Sequence, residues 1–145
     1  MREDTQEEGK GSVGAIRPLI LLAEDDDEMR VLLGRALRKA GYRVIEDYDA
    51  TSLFHDLISF LFSEKRNEPI DLIISDIRMP GPHVMEILGN MHETRNFPPV
   101  ILITAFGDKE IHATAERYGV VALFDKPFDI DKLIAKVQET VALPG

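Results

Sequence analysis

Residues 19–28 read LILLAEDDDE and residues 72–80 read LIISDIRMP, so each of these short apolar runs ends on acidic side chains. Runs of this length are typical of strands that are buried on both faces of a parallel sheet. An acid at the mouth of such a strand needs a partner, because an isolated buried charge is unfavourable. The two stretches therefore predict a parallel sheet that carries polar chemistry at the ends of its strands.

From Pro18 onward the chain repeats the same alternation of apolar runs and amphipathic stretches. The predicted strands are residues 19–23, 42–46, 72–75, 100–103 and 120–124. Apolar residues at helical spacing follow each strand, and Asp108 and Asp129 stand where the last two helices need N-caps. The alternation predicts a single doubly wound α/β domain with a five-stranded parallel sheet and helices on both faces.

The composition fits one such domain and excludes several other classes of protein. The chain has 145 residues, 44% of them hydrophobic and 30% charged, which is the balance of a single core. Without cysteine it forms neither disulfides nor thiolate zinc sites. A net charge of −9 disfavours direct contact with nucleic acid or an anionic membrane. No apolar run is long enough for a membrane span or signal peptide, so we expect a cytoplasmic protein.

The first residues differ in character from the rest. Residues 1–17 mix charges, Gly and Ser with almost no apolar periodicity, and cannot bury enough surface to offset the entropy of ordering them. We predict a flexible tail over residues 1–17 and the folded domain over residues 18–145. No effector domain is expected after Val141, which leaves open whether the chain acts alone or is part of a longer regulator.

Polar residues follow four of the predicted strands. Glu24 and Asp25 come after the first strand, Asp76 after the third, Thr104 after the fourth and Lys126 after the fifth. In a parallel sheet with right-handed crossovers the carboxyl ends of the strands form one edge, where ligands bind. The sequence therefore predicts that three carboxylates, one hydroxyl and one ammonium group converge there.

Three neighbouring carboxylates repel one another and need cations. Lys126 supplies one positive charge, and the remainder suits a hard divalent ion with oxygen ligands, of which Mg²⁺ fits best. A carboxylate beside such an ion can attack phosphorus while the cations neutralise the transferring oxygens. The pattern indicates metal-assisted phosphoryl transfer to an aspartate, without specifying which carboxylate is the acceptor.

Four motifs, each at the end of a predicted strand, together resemble the receiver domain of two-component response regulators. They are LLAEDD at 21–26, SDIRMP at 75–80, ITA at 103–105 and KPF at 126–128. The resemblance covers residues 18 to about 143 and implies a flavodoxin-like sheet of order 2-1-3-4-5. It also implies a phosphorelay function, in which a sensor histidine kinase or a histidine phosphotransfer protein donates the phosphoryl group and a conformational change signals to a downstream partner.

The same resemblance implies a metal and acceptor role for four residues. Asp76 would accept the phosphoryl group and contribute to the Mg²⁺ site. Asp25 would bind the ion directly, and Glu24 directly or through water. The backbone carbonyl of Arg78 would complete the protein ligands.

Two further residues would act during switching. Lys126 would contact the acceptor carboxylate and later a phosphate oxygen, with the Lys126-Pro127 bond in the cis form, and Thr104 would move toward the new phosphoryl group. The family usually has an aromatic residue three positions before the lysine, where this chain has Leu123. Phe124 does not replace it, because neighbouring residues of a strand point to opposite faces.

Two other departures from the family pattern lie outside the strands, in a loop and in a helix. Val84 stands where the loop after Met79 and Pro80 usually carries a glycine, which affects the loop beside the acceptor. The stretch 49–69 is longer than in most receivers. The apolar stripe predicted for its helix consists of Leu53, Phe54, Leu57, Ile58 and Leu61, and Phe60 lies off this stripe. We therefore expect Phe60 to belong to an exposed partner-binding patch.

Two alternatives of other classes can be weighed. An interaction module with the receiver fold but a weakened or lost switch is favoured only by Leu123 and Val84. A magnesium phosphatase with an aspartyl nucleophile after the first strand would need an Asp-x-Asp-x-Thr/Val pattern, and Asp25-Asp26-Asp27-Glu28 lacks its last position. We expect a protein that catalyses only its own phosphorylation and dephosphorylation, and no turnover of an external substrate.

Overall fold

Five strands and five helices alternate in the computed structural model, which describes residues 16–63, 68–105 and 109–144. The strands are β1 (Leu19–Ala23), β2 (Arg43–Asp47), β3 (Leu72–Asp76), β4 (Val100–Thr104) and β5 (Val120–Asp125). The helices are α1 (Asp27–Lys39), α2 (Ala50–Phe62), α3 (Val84–Met91), α4 (Lys109–Arg117) and α5 (Ile130–Thr140). Nearly all of the predicted tail, the predicted cap Asp108 and residues 64–67 lie outside the described ranges.

All strand pairs are parallel and the sheet order is β2-β1-β3-β4-β5, which confirms the predicted architecture. The chain crosses over from β2 to β3, so the strand order reverses beside β1. Every residue of β1, β3 and β4 is buried, as continuous apolar runs require of strands covered on both faces. The edge strands β2 and β5 are only partly buried.

Two hydrophobic cores lie on opposite faces of the sheet because successive strand residues point in opposite directions. One core joins Leu21 and Ile73 to α2, α3 and α4. The other joins Leu22 and Ile74 to α1 and α5. Each fully buried Leu or Ile side chain contributes about 1.5–3 kcal/mol relative to exposure, so the two layers hold the strand ends rigidly at one edge.

Aspartates cap the N-termini of α1, α2 and α5. Asp26 accepts a hydrogen bond from the Met29 backbone N–H at 3.1 Å, Asp49 accepts one from the Ser52 N–H at 2.8 Å, and Asp129 accepts one from the Asp131 N–H at 2.9 Å. Such caps satisfy helix N–H groups that lack an intrahelical partner. Asp129 is thus a cap as predicted, and Asp26 gives the acidic run after β1 a structural role in addition to its chemistry.

The buried face of helix α2 is rotated from the predicted one. Leu53 and Leu57 of the predicted stripe are buried and Leu61 is partly buried, but Phe54 and Ile58 are exposed and Phe60 is buried against the sheet instead. The prediction that Phe60 belongs to an exposed patch is therefore wrong. Apolar side chains surround α2, so periodicity alone could not decide between two neighbouring stripes.

Strand β2 begins one residue later than predicted. Tyr42 lies before the strand with only 1% of its surface exposed, and its hydroxyl donates to the Val141 carbonyl at 2.7 Å. Strand β2 instead extends to Asp47, whose side chain is also buried.

Candidate functional site

The carboxyl ends of four strands bring the predicted site residues to one edge of the sheet. Glu24 and Asp25 follow β1, Asp76 ends β3, Thr104 ends β4 and Lys126 follows β5. In the β3–β4 register Asp76 lies opposite Ile103. Thr104 is therefore one residue further toward the open edge, on the strand beside Asp76.

Lys126 connects two of the carboxylates. Its Nζ donates to Asp76 Oδ2 at 2.7 Å and lies 3.3 Å from Glu24 Oε1. Burial by itself lowers the pKa of Lys126, but the hydrogen bonds and charges of Asp76 and Glu24 outweigh that effect and raise it. The side chain thus stays an ammonium group at the centre of the cluster.

The position of Lys126 is fixed by its backbone. Its N–H donates to the Thr104 carbonyl at 2.8 Å, which ties the end of β5 to the end of β4. The following Lys126-Pro127 peptide bond is cis, as the resemblance implies.

Glu24 is fully buried, and its surroundings shift its pKa. Burial raises its pKa to about 7, and the Asp76 charge adds to this, while a hydrogen bond from the Asp26 N–H and the Lys126 ammonium act in the opposite direction. The Asp26 N–H bond, of 3.1 Å to Glu24 Oε2, was not foreseen from sequence. A carboxyl balanced in this way is ionised readily once an additional cation lies beside it.

Glu24, Asp25 and Asp76 can each offer one oxygen to a shared cation, because these atoms lie within 4.8 Å of one another. Glu24 and Asp76 are buried, whereas Asp25 is exposed to solvent. A hard cation that keeps several water ligands suits a site with a protein side and a solvent side. The donor set therefore fits Mg²⁺.

The Asp76 carboxylate is also held by its own loop. Asp76 Oδ1 accepts from the Arg78 N–H at 3.0 Å. The Ala50 N–H at the start of α2 donates to the Pro80 carbonyl at 2.9 Å, and Gly81 at φ +107° passes close to Thr51. A Cβ at Gly81 would lie 2.7 Å from Thr51 Oγ1, so this turn requires glycine.

An open cleft of about 480 Å³ lies beside the cluster. It is lined by Asp25, Ile77, Arg78, Met79, Pro80, Gly81, His83 and Ile111. The cleft leaves the Asp25 side of the carboxylate cluster open to ligands from solvent.

The structure shows where two departures from the family pattern, Leu123 and Val84, are packed. Leu123 packs against the core on the α2, α3 and α4 side, and Phe124 packs on the opposite side, as the strand alternation predicts. Val84 is the first residue of α3 and is 99% buried. A core side chain thus replaces the expected glycine at that position.

A second buried acid lies at the same edge and was missed from sequence. Asp47 is 5% exposed, and its backbone carbonyl accepts from the Glu24 N–H at 3.0 Å. Burial raises the pKa of Asp47 to about 8, with further contributions from a hydrogen bond to Asp56 and from the charges of Asp56 and Asp49. Had β2 been extended by one residue, the sequence would have placed an acid here as on β1 and β3.

A doubly wound five-stranded parallel sheet with three carboxylates and a lysine at its carboxyl edge defines the class of phosphoacceptor signalling domains. A family model described as the response regulator receiver domain matches residues 20–138, and the chain belongs to this family. Receiver domains are the phosphoacceptors of two-component signalling, and this is the function class of the chain. Among the described residues, no helix has the length and apolar character needed to cross a membrane.

Curated relatives differ in how much of their length they share with this chain. The C4-dicarboxylate transport transcriptional regulatory protein DctD of Pseudomonas aeruginosa is 35% identical over 122 residues, which are 84% of this chain and 25% of that protein. Sporulation initiation phosphotransferase F of Bacillus subtilis is 28% identical over 86% of this chain and 94% of its own length. The chain spans about a quarter of the length of the first curated relatives it matches.

Solved receiver domains share the fold. The non-phosphorylated HemR receiver domain from Leptospira biflexa has a TM-score of 0.74 at 20% identity, covering 89% of this chain and 98% of that one. The response regulator TrrA from Thermotoga maritima, solved in complex with Mg²⁺-BeF, has a TM-score of 0.69 at 24% identity, covering 86% and 99%.

Proposed function

We propose that Asp76 is the phosphoacceptor and that Glu24, Asp25, Asp76 and the Arg78 carbonyl hold the Mg²⁺ ion. The observation that carries this proposal is the 2.7 Å contact between Lys126 Nζ and Asp76 Oδ2 inside a cluster of three carboxylates. Asp76 and Glu24 each contact the lysine through one oxygen and a backbone N–H through the other, but the lysine contact of Asp76 is shorter, at 2.7 Å against 3.3 Å. Asp76 is therefore the carboxylate that the lysine holds most closely.

The proposed reaction moves one phosphoryl group from a nitrogen to an oxygen. A carboxylate oxygen of Asp76 attacks the phosphorus of a phosphohistidine, the P–N bond breaks, and the departing imidazole nitrogen takes up a proton. The product is an acyl phosphate on Asp76. When bound, Mg²⁺ supplies charge neutralisation at the phosphoryl oxygens.

The other residues of the site position and neutralise. Lys126 keeps its positive charge beside the acceptor and can follow a phosphate oxygen after transfer. Thr104, one residue beyond the partner of Asp76 on β4, is close enough in register to respond to a new phosphoryl group. The proposal includes a conformational signal through Thr104, which Leu123 cannot amplify by rotation of an aromatic ring.

The donor in this proposal is a sensor histidine kinase or a histidine phosphotransfer protein. Helix α1 begins two residues after Asp25 and exposes Val31 and Leu32, which offers such a partner an apolar contact beside the site. The downstream partner, the cytoplasmic location and the absence of external substrate turnover are part of the same proposal. The cluster of three carboxylates and a lysine favours this function over an interaction module without phosphorylation.

The test is phosphorylation by a small donor, without a kinase. Incubation of the wild-type chain with acetyl phosphate and Mg²⁺ should add one phosphoryl group, detected by intact-protein mass spectrometry. The mass increase should disappear in EDTA and should be reversed by hydroxylamine, which cleaves acyl phosphates. Failure to acquire any phosphoryl group in saturating Mg²⁺ would overturn the proposal.

The metal assignment predicts a specific effect for Asp25→Ala. Mg²⁺ should bind the wild type at roughly millimolar affinity, because few protein ligands leave the ion largely hydrated, and the variant should bind at least about tenfold more weakly. The measurement is a Mg²⁺ titration followed by NMR chemical shifts.

The fold of the Asp25→Ala variant provides the control. Removing an exposed carboxylate relieves repulsion with Glu24 and Asp76, so thermal melts in chelator should show a variant at least as stable as the wild type. A strongly destabilised variant would mean that Asp25 has a structural role instead.

A further inference from the structure

Helix α2 carries an exposed apolar line that the phosphoacceptor site does not use. Phe54, Ile58 and Phe62 have exposed fractions of 38%, 39% and 57%. Their spacing of four residues places them along one side of the helix. We call these three residues the α2 stripe. Since the opposite side of α2 is buried in the core through Leu53, Leu57 and Phe60, the helix is apolar on both sides.

A groove lies beside one end of the α2 stripe. It has a volume of about 210 Å³ and is lined by Phe54, Pro82, Glu86, Ile87, Asn90 and Met91. Phe62, the most exposed member of the stripe, is at the opposite end of the helix. The surface thus has a protruding aromatic ring at one end and a largely apolar recess at the other.

The charge distribution singles out this helix. The chain has a net charge of −9, which opposes contact between two copies over most of the surface. Helix α2 has no acidic residue in its first turn and no basic residue in its last turn, and its only titratable side chains are those of His55 and Asp56. Neither of them belongs to the stripe, so two copies can meet here with little repulsion.

We propose that the α2 stripe binds the α2 stripe of a second copy of this chain, with the two helices antiparallel across a twofold axis at Ile58. This arrangement places Phe54 of each copy opposite Phe62 of the other. Each Phe62 then enters the groove beside Phe54 of the other copy, and the two Ile58 side chains meet at the axis. Parallel helices would instead place Phe62 against Phe62, so only the antiparallel orientation of two copies brings each exposed ring to a recess.

The size of the contact sets its strength. Helix α2 has 13 residues and is about 20 Å long. Two such helices packed side by side bury on the order of 1,000 Å² in total, at the lower end of specific interfaces. The association is therefore weak and concentration-dependent, in the micromolar range or above.

The first test is sedimentation velocity over a wide range of protein concentration. The wild type should shift from monomer to dimer. Ile58→Glu places two like charges at the twofold axis and should weaken the association at least tenfold. Val31→Glu makes the same change at a similarly exposed residue of α1, 42% against 39%, and should dimerise like the wild type.

The second test uses the absence of cysteine from the chain, which makes single cysteines unambiguous probes. Ile58→Cys should form a disulfide-linked dimer on mild oxidation. A mixture of Phe54→Cys and Phe62→Cys should form the mixed dimer in preference to either homodimer. This result does not depend on whether Ile58→Glu folds well.

Three outcomes would overturn the proposal. The wild type could remain monomeric at every concentration, which would leave the stripe to a different partner. Ile58→Glu and Val31→Glu could weaken the dimer equally. The cysteine variants could cross-link in the pattern of parallel helices, with Phe54→Cys and Phe62→Cys each forming homodimers.

Discussion

Substituting Asp76 with asparagine is expected to abolish phosphorylation by acetyl phosphate. The amide of asparagine has nearly the shape of the carboxylate but is not a nucleophile, so the rate should fall by more than about 10³-fold. Its single amide oxygen can keep the hydrogen bond from Lys126 or the one from the Arg78 N–H but not both, because these donors contact different oxygens of Asp76 in the wild type. The two hydrophobic cores are unchanged, so the variant should still fold, and circular dichroism should confirm that its failure to react reflects the chemistry.

The matched control is Asp27→Asn, the same chemical change in the acidic run after β1. Asp27 is 84% exposed at its side chain and pairs with Arg30 on the surface of α1, away from the carboxylate cluster. This variant should acquire one phosphoryl group like the wild type. Undiminished labelling of Asp76→Asn would contradict the assignment, and loss of labelling in both variants would mean that the acidic run acts collectively.

The parts of the structure that sequence predicted well are those where pattern and topology leave little choice. The apolar runs of β1, β3 and β4 are too short for helices and too continuous for strands with a solvent-exposed face. Once parallel strands are assigned, Asp76 and Lys126 must share one edge of the sheet, and the structure joins them directly. The convergence of the site therefore follows from chain connectivity more than from local sequence.

The parts that sequence missed are those decided by competition between similar side chains. In α2 two apolar stripes were possible, and contact with the sheet selected the one with Phe60. Likewise, the hydrogen bond from the Asp26 N–H to Glu24 depends on the exact path of the chain between β1 and α1. The periodicity of the sequence predicts neither result, because each depends on how the chain packs in three dimensions.

Asp47 was also missed, because β2 was predicted to end one residue before it. Its substitution has the second large expected effect. Its side chain is 95% buried, and among the described residues its Oδ2 has no hydrogen-bond partner. Ionisation of such a carboxyl is unfavourable, which is why its pKa rises to about 8 in the folded state from 3.8. The neutral side chain can donate to Asp56, and an asparagine at this position can do the same.

The sign of the pH dependence follows from this shift. Below the unfolded pKa of 3.8 the carboxyl is protonated in both states and does not affect the free energy of unfolding. Between that value and about 8 the folded state retains a proton that the unfolded state has released, so stability falls as pH rises. Above about 8 both states are ionised and the loss of stability is constant.

Asp47→Asn should therefore stabilise the chain increasingly as pH rises. The difference in the free energy of unfolding between variant and wild type should grow by up to about 1.4 kcal/mol per pH unit, which amounts to about 4 kcal/mol between about pH 5 and about pH 8. Urea unfolding of both proteins at about pH 5, 6.5 and 8 measures this difference directly. Contributions of Glu24, which titrates near 7, are common to both proteins and cancel to first order in the difference.

Asp49→Asn is the control for Asp47→Asn, because its pKa shift has the opposite sign. Asp49 caps α2, and hydrogen bonds from the Ser52 side chain and backbone N–H lower its pKa. Asparagine also caps helices well, so the variant should be close to the wild type in stability. It should gain at most a little as pH rises, because the Asp49 charge is the smallest contribution to the raised pKa of Asp47. If the stability gain of Asp47→Asn over the wild type were no larger at about pH 8 than at about pH 5, Asp47 would be ionised in the folded protein throughout that range. In that case its negative charge would have to be balanced by a cation at this edge of the sheet, because a buried unpaired carboxylate would otherwise unfold the strand end that supports Glu24.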